Sequence, residues 1–161
     1  MTYIPQSLDK WDYRFLGLAG HIASWSKDPK PTGKVGCIIT DRHRHIRGCG
    51  FNGLPRLFID DPDLLNDPER KLLHIVHAEA NAIAYAARSG AKTEDCYAYV
   101  TRPVCHTCAG LLIQAGIVRV VARNWALRKE WRDSCEAAEK LFTGSGVTYI
   151  KTEFNPDEPA S

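Results

Sequence analysis

Two short clusters of metal-binding side chains stand out in this sequence. One is His77-Ala78-Glu79, and the other is the pair Cys105 and Cys108, which are separated by two residues. Zinc binds imidazole and thiolate in a tetrahedron, and a site with three protein ligands leaves the fourth position open, as catalytic zinc sites do. The pattern therefore predicts one Zn²⁺ held by His77, Cys105 and Cys108, with an open position for water.

Glu79 is the predicted catalytic residue. It lies two residues after His77. This spacing is too short for Glu79 to be a favourable fourth ligand, but it lets the carboxylate reach a water at the open position. Zinc lowers the pKa of a bound water to about 7, and a neighbouring carboxylate can then carry protons between that water and a substrate. His-x-Glu followed by Cys-x-x-Cys is the pattern of zinc enzymes that deaminate nucleobases.

Each half of this pattern alone allows other interpretations. A Cys-x-x-Cys pair in a cytosolic chain also occurs as a redox pair, and Glu79 alone is also typical of the first turn of a helix, where the helix dipole favours it. A closed structural zinc site would need His106 as the fourth ligand, but the helix would turn His106 away. The two clusters together favour the catalytic site.

Both clusters fall where helices are predicted to begin. Apolar spacing predicts helices over 77–88, with Gly90 as the C-cap, and over 105–115. A helix N-terminus lowers the pKa of a cysteine and so favours the thiolate that zinc needs. We expect the two helix starts to meet at one edge of a sheet, where ligands bind in α/β proteins. Further helices are predicted over 8–25 and 126–142, and strands over 35–40, 45–51, 97–101, 117–122 and 147–150.

The alternation of strands and helices predicts an α/β fold in which a sheet lies between helical layers. The first two strands form an antiparallel hairpin, and at least one later connection must join parallel strands. Residues 54–73 contain three prolines and an acidic run, which indicates a long irregular loop. We expect a single domain over 1–161, with a frayed tail from about residue 152.

Composition narrows the choice of partners and location. The net charge is only +2 among 25% charged residues, too little for a general nucleic-acid coat or a membrane surface. No apolar run reaches the ~18 residues of a membrane span. The N-terminus has no signal-peptide pattern, so we expect a cytoplasmic protein. Its other four cysteines are then expected to be reduced and mostly buried.

Around these clusters the sequence resembles the cytidine deaminase superfamily, and within it the deoxycytidylate (dCMP) deaminases. The similarity extends over most of the chain. It is carried by Ser26-Lys27-Asp28-Pro29, Lys34-Val35-Gly36, Gly48-Cys49-Gly50-Phe51-Asn52-Gly53-Leu54-Pro55, His77-Ala78-Glu79-Ala80-Asn81-Ala82-Ile83, Tyr99-Val100-Thr101, the Cys-x-x-Cys pair and Leu112-Ile113-Gln114-Ala115-Gly116-Ile117.

The resemblance implies a three-layer α/β/α sandwich with a mixed five-stranded sheet. It implies hydrolysis of dCMP to dUMP and ammonia by a homo-oligomer, with a hexamer favoured over a dimer. Ser26, Lys27 and Asn52 are then candidates for contacts with the sugar and phosphate. The backbone N–H of Ala78, at a helix start, is a candidate donor to the base carbonyl. Trp125 or Trp131 is a candidate to close over the base, although an aromatic residue on the last helix is more often part of the core.

The resemblance also implies regulation by nucleotides. Gly50, Phe51, Asn52 and Gly53 resemble the segment that holds an effector in dCMP deaminases, where dCTP activates and dTTP inhibits. Glycines let the backbone approach a nucleotide and adopt positive φ. The alternative is a plain Asn-Gly hairpin turn.

The sequence departs from the family pattern in three places. Val104 stands before Cys105 where the family has proline, the loop between Pro29 and Val35 is longer, and His74 occupies a position where an aromatic residue is common. His74 is either a stacking residue for a nucleotide or, as we favour, a histidine of a surface loop.

Two other functions stay open. One is a deaminase of a modified dCMP, of tRNA or of single-stranded DNA, and the last two would need a basic groove. The other is a non-catalytic nucleotide-binding regulator, against which the intact Glu79 argues. The basic candidates for a groove are Arg119, Arg123, Arg128, Lys129 and Arg132, which neighbouring acidic residues dilute.

Overall fold

The computed structural model describes residues 4–153 as a sheet with helices on both faces. The helices are α1 (Lys10–Ala23), α2 (Pro62–Asn66), α3 (Pro68–His74), α4 (Ala78–Ser89), α5 (His106–Gln114) and α6 (Lys129–Gly144), with a short 3₁₀ turn at Pro31–Gly33. The strands are β1 (Gly36–Thr40), β2 (Ile46–Phe51), β3 (Cys96–Val100), β4 (Ile117–Arg123) and β5 (Thr148–Thr152).

The five strands lie in the order β2-β1-β3-β4-β5. β1 is antiparallel to both β2 and β3, whereas β3, β4 and β5 run parallel to one another. The connections through α5 and α6 are the crossovers that parallel strands require. The mixed five-stranded sheet predicted from the sequence is therefore confirmed.

Helices cover the two faces of the sheet unequally. On one face α1 packs Phe15 and Leu16 against a cluster that includes Ile38, Tyr99 and Val121. On the other face the larger core joins side chains of α4, α5 and α6 to alternate residues of β1, β3 and β4. Alternating strand residues point to opposite faces, so one sheet supports both cores. These are the three layers of an α/β/α sandwich.

Capping residues define where the site-bearing helices begin and end. Asp9 caps α1 in a reciprocal capping box with Asp12. Gly90 ends α4 with a left-handed φ of 69°, as the sequence predicts for its C-cap. His77 and Cys105 are themselves the N-cap residues of α4 and α5.

The prediction of an irregular loop over 54–73 was wrong for its second half. Residues 62–74 form the two short helices α2 and α3, and an aspartate caps each of them, followed directly by a proline. Proline is favoured at the first helical position because its missing N–H would be unpaired there anyway. Asp61-Pro62 and Asp67-Pro68 are therefore helix starts, although the same residues resemble a loop in the sequence.

The C-terminal end of the chain needs one correction. Thr152, predicted to begin a frayed tail, is the last residue of β5 and pairs with Arg123 of β4. Residues 154–161 of that predicted tail lie outside the described residues. Within residues 4–153, no helix is long and apolar enough to cross a membrane. All six cysteines are free, and all are buried except the half-buried Cys49.

Candidate zinc centre

The three predicted metal ligands meet where α4 and α5 begin. His77 and Cys105 have extended backbone at the N-cap positions of the two helices, and Cys108 lies in the first turn of α5. β3 ends at Val100, and the short segment after it delivers Cys105 to the same sheet edge. The helix starts predicted from the sequence therefore converge as expected.

The geometry of the three donor atoms fits zinc. The Sγ atoms of Cys105 and Cys108 each lie 3.5 Å from Nδ1 of His77, and all three ligand atoms are within 4.8 Å of one another. Tetrahedral zinc with Zn–S near ~2.3 Å and Zn–N near ~2.0 Å separates a sulfur from a nitrogen by about 3.5 Å. Among residues 4–153 this is the one group of its kind, so His77, Cys105 and Cys108 form the zinc-site triad.

The three ligand side chains change one another's pKa values. A hydrogen bond from Cys108, with a further contribution from His77, outweighs burial and lowers the pKa of Cys105 to about 4. The same hydrogen bond, together with burial, raises the pKa of Cys108. The hydrogen bond with Cys105 raises the pKa of His77. The lowered pKa of Cys105 favours its thiolate, which is the form that zinc binds.

Glu79 lies directly beside the triad without joining it. It is in the first turn of α4, only 4% of its surface is exposed, and its carboxylate is hydrogen-bonded to Cys108. Burial raises the pKa of Glu79, and the nearby His77 opposes this change. Glu79 is absent from the group of three close ligand atoms, as expected for a residue that is not a ligand; its role as a proton carrier stays a prediction.

Backbone pairing that was not predicted from the sequence fixes the position of His77. Gly53 and Val76 form an isolated antiparallel bridge with hydrogen bonds of 3.1 and 2.8 Å. Asn81, one turn into α4, donates from its side chain to the carbonyl oxygen of Phe51 at 2.8 Å. These contacts attach the end of β2 to the start of α4. Asn81 belongs to the sequence motif that follows His77. A polar amide at that place in an alanine-rich helix was the sequence feature that could have indicated this contact.

The glycines of β2 have a packing role. A Cβ atom at Gly50 would overlap the carbonyl oxygen of Ala78, and one at Gly48 would overlap that of Ala82. None of Gly48, Gly50 and Gly53 has a positive φ, so the expectation of left-handed backbone in this segment was wrong. The absence of side chains lets α4 lie directly on β2, which sets the depth of Ala78 and Glu79.

Two of the predicted substrate-binding residues are brought together, and their polar groups bond within the chain. The Asn52 side chain accepts from the backbone N–H of Val35 at 2.8 Å and donates to the carbonyl oxygen of Gly33 at 2.9 Å. The hydroxyl of Ser26 donates to the carbonyl oxygen of Asn52 at 2.9 Å. Asn52 thus holds the long loop between Pro29 and Val35 in place.

Lys27 and His74 are engaged outside the triad. The exposed side chain of Lys27 forms an ion pair with Asp60, so it does not join Ser26 and Asn52. His74 lies at the end of α3, where its ring nitrogen is 2.7 Å from the carbonyl oxygen of Arg70 and its ring packs on Phe58. This is the surface position that we favoured for His74.

The two candidate tryptophans have different neighbours, and only one of these is a zinc ligand. The Trp131 ring lies 6.0 Å from the His77 ring, centroid to centroid. Trp125 instead contacts the guanidinium groups of Arg102 and Arg123. Trp131 is therefore the aromatic side chain at the triad.

Arg119, one of the five basic residues considered for a nucleic-acid groove, is not available at the surface. Arg119 is 1% exposed and donates to both carboxylate oxygens of Asp12, at 2.7 and 2.9 Å. It also donates to the carbonyl oxygens of Pro5 and Ser7. Arg119 therefore joins α1 and the N-terminal segment to the sheet.

Comparison with known proteins agrees with this geometry. The profile of the family "Cytidine and deoxycytidylate deaminase zinc-binding region" matches residues 9–124. The chain is 36% identical over 142 residues to an uncharacterized deaminase of Aliivibrio fischeri, a match that covers 87% of this chain and 92% of the relative. It is 36% identical over 151 residues to the deoxycytidylate deaminase of Mus musculus, covering 88% and 79%.

A solved structure has the same fold. The apo crystal structure of dCMP deaminase from the cyanophage S-TIM5 superposes with a TM-score of 0.68 over 91% of this chain and 100% of that one, at 23% identity. A second structure of that enzyme, in complex with dCMP and dUMP, gives a TM-score of 0.67. The family match and the His77–Cys105–Cys108 triad lead to one conclusion: the chain belongs to the cytidine and deoxycytidylate deaminase zinc-binding family and is a zinc-dependent deaminase.

Proposed function

We propose that the protein hydrolyses dCMP to dUMP and ammonia. The observation that carries this proposal is the buried Glu79 carboxyl beside the zinc triad. A binding protein without catalysis would have no need of a buried acid there, since moving a carboxyl group out of water is costly. The choice of dCMP is supported by relatives that are deoxycytidylate deaminases at 34–36% identity in mouse and human.

The side chains around the triad supply the steps of the reaction. Zinc, when bound by His77, Cys105 and Cys108, supplies a Lewis acid that makes water nucleophilic at neutral pH. Glu79 takes one proton from the attacking water and delivers it to N3 of the base, then takes the second proton from the hydroxyl group formed on C4 and passes it to the amine, which leaves as ammonia. The N–H of Ala78, the first residue of α4, has no partner within the helix and donates to the base carbonyl. Trp131 closes over the base.

The sugar is proposed to lie along the segment that Ser26 and Asn52 support. Because both polar groups are engaged within the chain, we expect them to act by holding residues 30–35 in place. Lys27 would reach a substrate only after leaving Asp60.

Regulation by dCTP and dTTP is part of the proposal. A cavity of about 270 Å³ includes Phe51, Gly53, Lys27 and Asp60 in its lining. This volume is close to the lower end of small-molecule sites. Of the four residues predicted from the sequence for effector binding, Phe51 and Gly53 line this cavity, and the Gly53–Val76 bridge links that segment to the residue before His77.

The assembly and location stay predictions. We expect a homo-oligomer, a hexamer before a dimer, which light scattering of the purified chain would show. We also expect a cytoplasmic protein whose partners are nucleotides, with neither a membrane nor nucleic acid as a partner.

Ammonia release from a panel of substrates tests the proposed reaction. The panel contains dCMP, CMP, deoxycytidine, dCTP and a 5-modified dCMP, with cytosine in single-stranded DNA as the polymer control. We expect the highest kcat/KM for dCMP. A higher kcat/KM for the polymer or for a modified base would replace dCMP as the substrate, and zinc-loaded protein without activity on any member would favour the regulator.

A further inference from the structure

Three arginines gather near Trp125. The guanidinium carbon of Arg102 lies 4.0 Å from the centre of the Trp125 ring and that of Arg123 lies 4.4 Å from it. Arg128 follows three residues after Trp125 in the chain. A tryptophan face attracts guanidinium groups, so Trp125 holds two like charges near each other.

These charges are poorly compensated within the chain. Among the described residues 4–153, Arg102 and Arg123 form no ion pair, and Arg128 has one loose, exposed contact with Glu130 at 3.8 Å. The nearest acidic influence on Arg102 is Asp28, but its carboxylate is already paired with Lys71 at 2.8 Å. Burial, together with Arg123 and Arg128, lowers the pKa of Arg102 to about 10. An anion placed between the guanidinium groups of Arg102 and Arg123 would relieve this repulsion.

The cluster lies at the same sheet edge as the zinc triad. Arg102 and Arg123 closely follow the paired residues Val100 and Ala122 at the ends of the parallel strands β3 and β4. Arg102 is three residues from the ligand Cys105, a length of chain that spans at most about 10 Å.

Two contacts connect the cluster to the rest of the site. The side chain of Arg102 donates to the carbonyl oxygen of Thr32, in the turn whose Gly33 is held by Asn52. The carbonyl oxygen of Arg128 accepts from the N–H of Trp131 at 3.0 Å, and Trp131 packs against His77. Arg102 therefore borders the turn that Asn52 holds, and Arg128 borders the start of α6, where Trp131 lies.

The residues first expected to bind phosphate are engaged elsewhere. Ser26 is buried and its hydroxyl bonds to Asn52 and Asp28, while Lys27 pairs with Asp60. Arg102 and Arg123, by contrast, have no carboxylate partner among the described residues. Guanidinium groups suit phosphate because they donate in a planar fork.

We propose that Arg102 and Arg123, which both contact the Trp125 ring, form an anion site that binds the phosphate group of the nucleotide substrate. This inference rests on the proposed function, because it assigns the phosphate end of the same substrate. It makes the cluster a specificity determinant for nucleotides over nucleosides.

The test measures binding of dCMP and of deoxycytidine by calorimetry, in the zinc-loaded Glu79→Gln background, which does not turn the ligands over. We expect dCMP to bind at least about tenfold more tightly than deoxycytidine. The double substitution Arg102→Gln/Arg123→Gln should remove that difference while leaving deoxycytidine binding unchanged. Unchanged deoxycytidine binding also shows that the double variant is folded and keeps its base pocket.

Arg14 offers a matched control. Arg14 and Arg44 flank Trp11 at 4.6 and 4.7 Å, which repeats the arrangement of two arginines and a tryptophan. Trp11 packs with the α1 core, on the sheet face opposite the triad. Arg14→Gln should retain the full preference for dCMP. A preference that survives Arg102→Gln/Arg123→Gln, or that is lost equally in Arg14→Gln, would overturn the proposal.

Two further probes separate this proposal from the proposed function. Inorganic phosphate, followed by ³¹P NMR line broadening, should bind to the Glu79→Gln protein and not to its Arg102→Gln/Arg123→Gln derivative. That result without any binding of dCMP would support the anion site and reject the dCMP substrate. A single-stranded oligodeoxynucleotide that binds more tightly than dCMP, and only when Arg102 and Arg123 are present, would overturn the assignment to a mononucleotide.

Discussion

Gly53 and Val76 exchange two backbone hydrogen bonds immediately before His77. This pairing connects the segment after β2 to the residue that precedes the metal-binding histidine. A change in the conformation of residues 50–53 would therefore move His77, which gives an effector in the neighbouring cavity a physical route to the zinc centre. Such coupling requires two distinct sites and an element that both of them bias.

Substitution of Glu79 should separate catalysis from metal binding. We expect Glu79→Gln to keep one zinc per chain and to lower kcat by at least about 100-fold, because a positioned acid–base group contributes roughly 10²–10⁴ in rate. Cys105→Ser should lose both zinc and thermal stability, because metal binding is coupled to folding. Atomic absorption and ammonia release measure the two effects. Equal zinc loss in both variants would contradict the role of Glu79.

Gly50 should resist even the smallest side chain. In Gly50→Ala the new Cβ would meet backbone atoms of Ala78 and Ala82, so α4 must shift. We expect a loss of about 1–3 kcal/mol in the free energy of unfolding and faster removal of zinc by a chelator, since α4 begins directly after His77.

Gly17 provides the control for that experiment. It lies inside α1, and a Cβ atom at this position would have no neighbouring atom within 4 Å. Gly17→Ala should stabilise the protein by about 0.5–1 kcal/mol, because alanine is the better helix former. Urea unfolding measures both variants, and equal stability of Gly50→Ala and the unsubstituted protein would contradict the packing role of Gly50.

The buried pair of Asp12 and Arg119 should be costly to break. Their side chains are 5% and 1% exposed, and Asp12→Ala would leave the guanidinium of Arg119 without its carboxylate. We expect a loss of about 3–5 kcal/mol, as for other buried ion pairs that lose one partner.

The exposed pair of Glu139 and Lys151 is the comparison for Asp12. Glu139→Ala should cost less than about 1 kcal/mol, because exposed ion pairs contribute little. Chemical denaturation of the two variants measures the difference. Similar losses in both would show that Asp12 contributes no more than a surface charge.

Effector control predicts a particular kinetic pattern. We expect sigmoidal dependence of rate on dCMP, which becomes hyperbolic with dCTP and is suppressed by dTTP. Asn52→Ala should weaken both responses while zinc stays bound, because Asn52 holds the loop beside this segment. Initial-rate curves with and without each triphosphate measure the effect. Hyperbolic kinetics that neither triphosphate alters would leave residues 50–53 with a structural role alone.

The zinc centre was predictable because its evidence is local in sequence. His77 and Glu79 are two residues apart, Cys105 and Cys108 are three apart, and each cluster begins a helix whose pattern is clear. Strand alternation likewise predicted the layered α/β fold. Prolines misled the prediction for 62–74, because Asp-Pro is common both in loops and at helix starts.

Contacts between distant segments could not be predicted from the sequence. The Gly53–Val76 bridge, the Arg119–Asp12 pair and the arginines around Trp125 each join residues whose proximity depends on the order of the strands. Arg102 and Arg123 in particular meet only because β3 and β4 are parallel neighbours. In the sequence they are separated by a whole helix and carry no shared pattern.

The distribution of the cysteines has a practical consequence. Cys49 alone is half-buried, and the two cysteine ligands lie among the buried five. A thiol reagent should therefore label the folded, zinc-loaded chain quickly at Cys49 and slowly elsewhere. Removal of zinc would leave Cys105 and Cys108 without their metal, and the coupled loss of folding would expose them to the reagent. The number of fast-reacting thiols per chain thus becomes a simple assay of metal loading in any preparation.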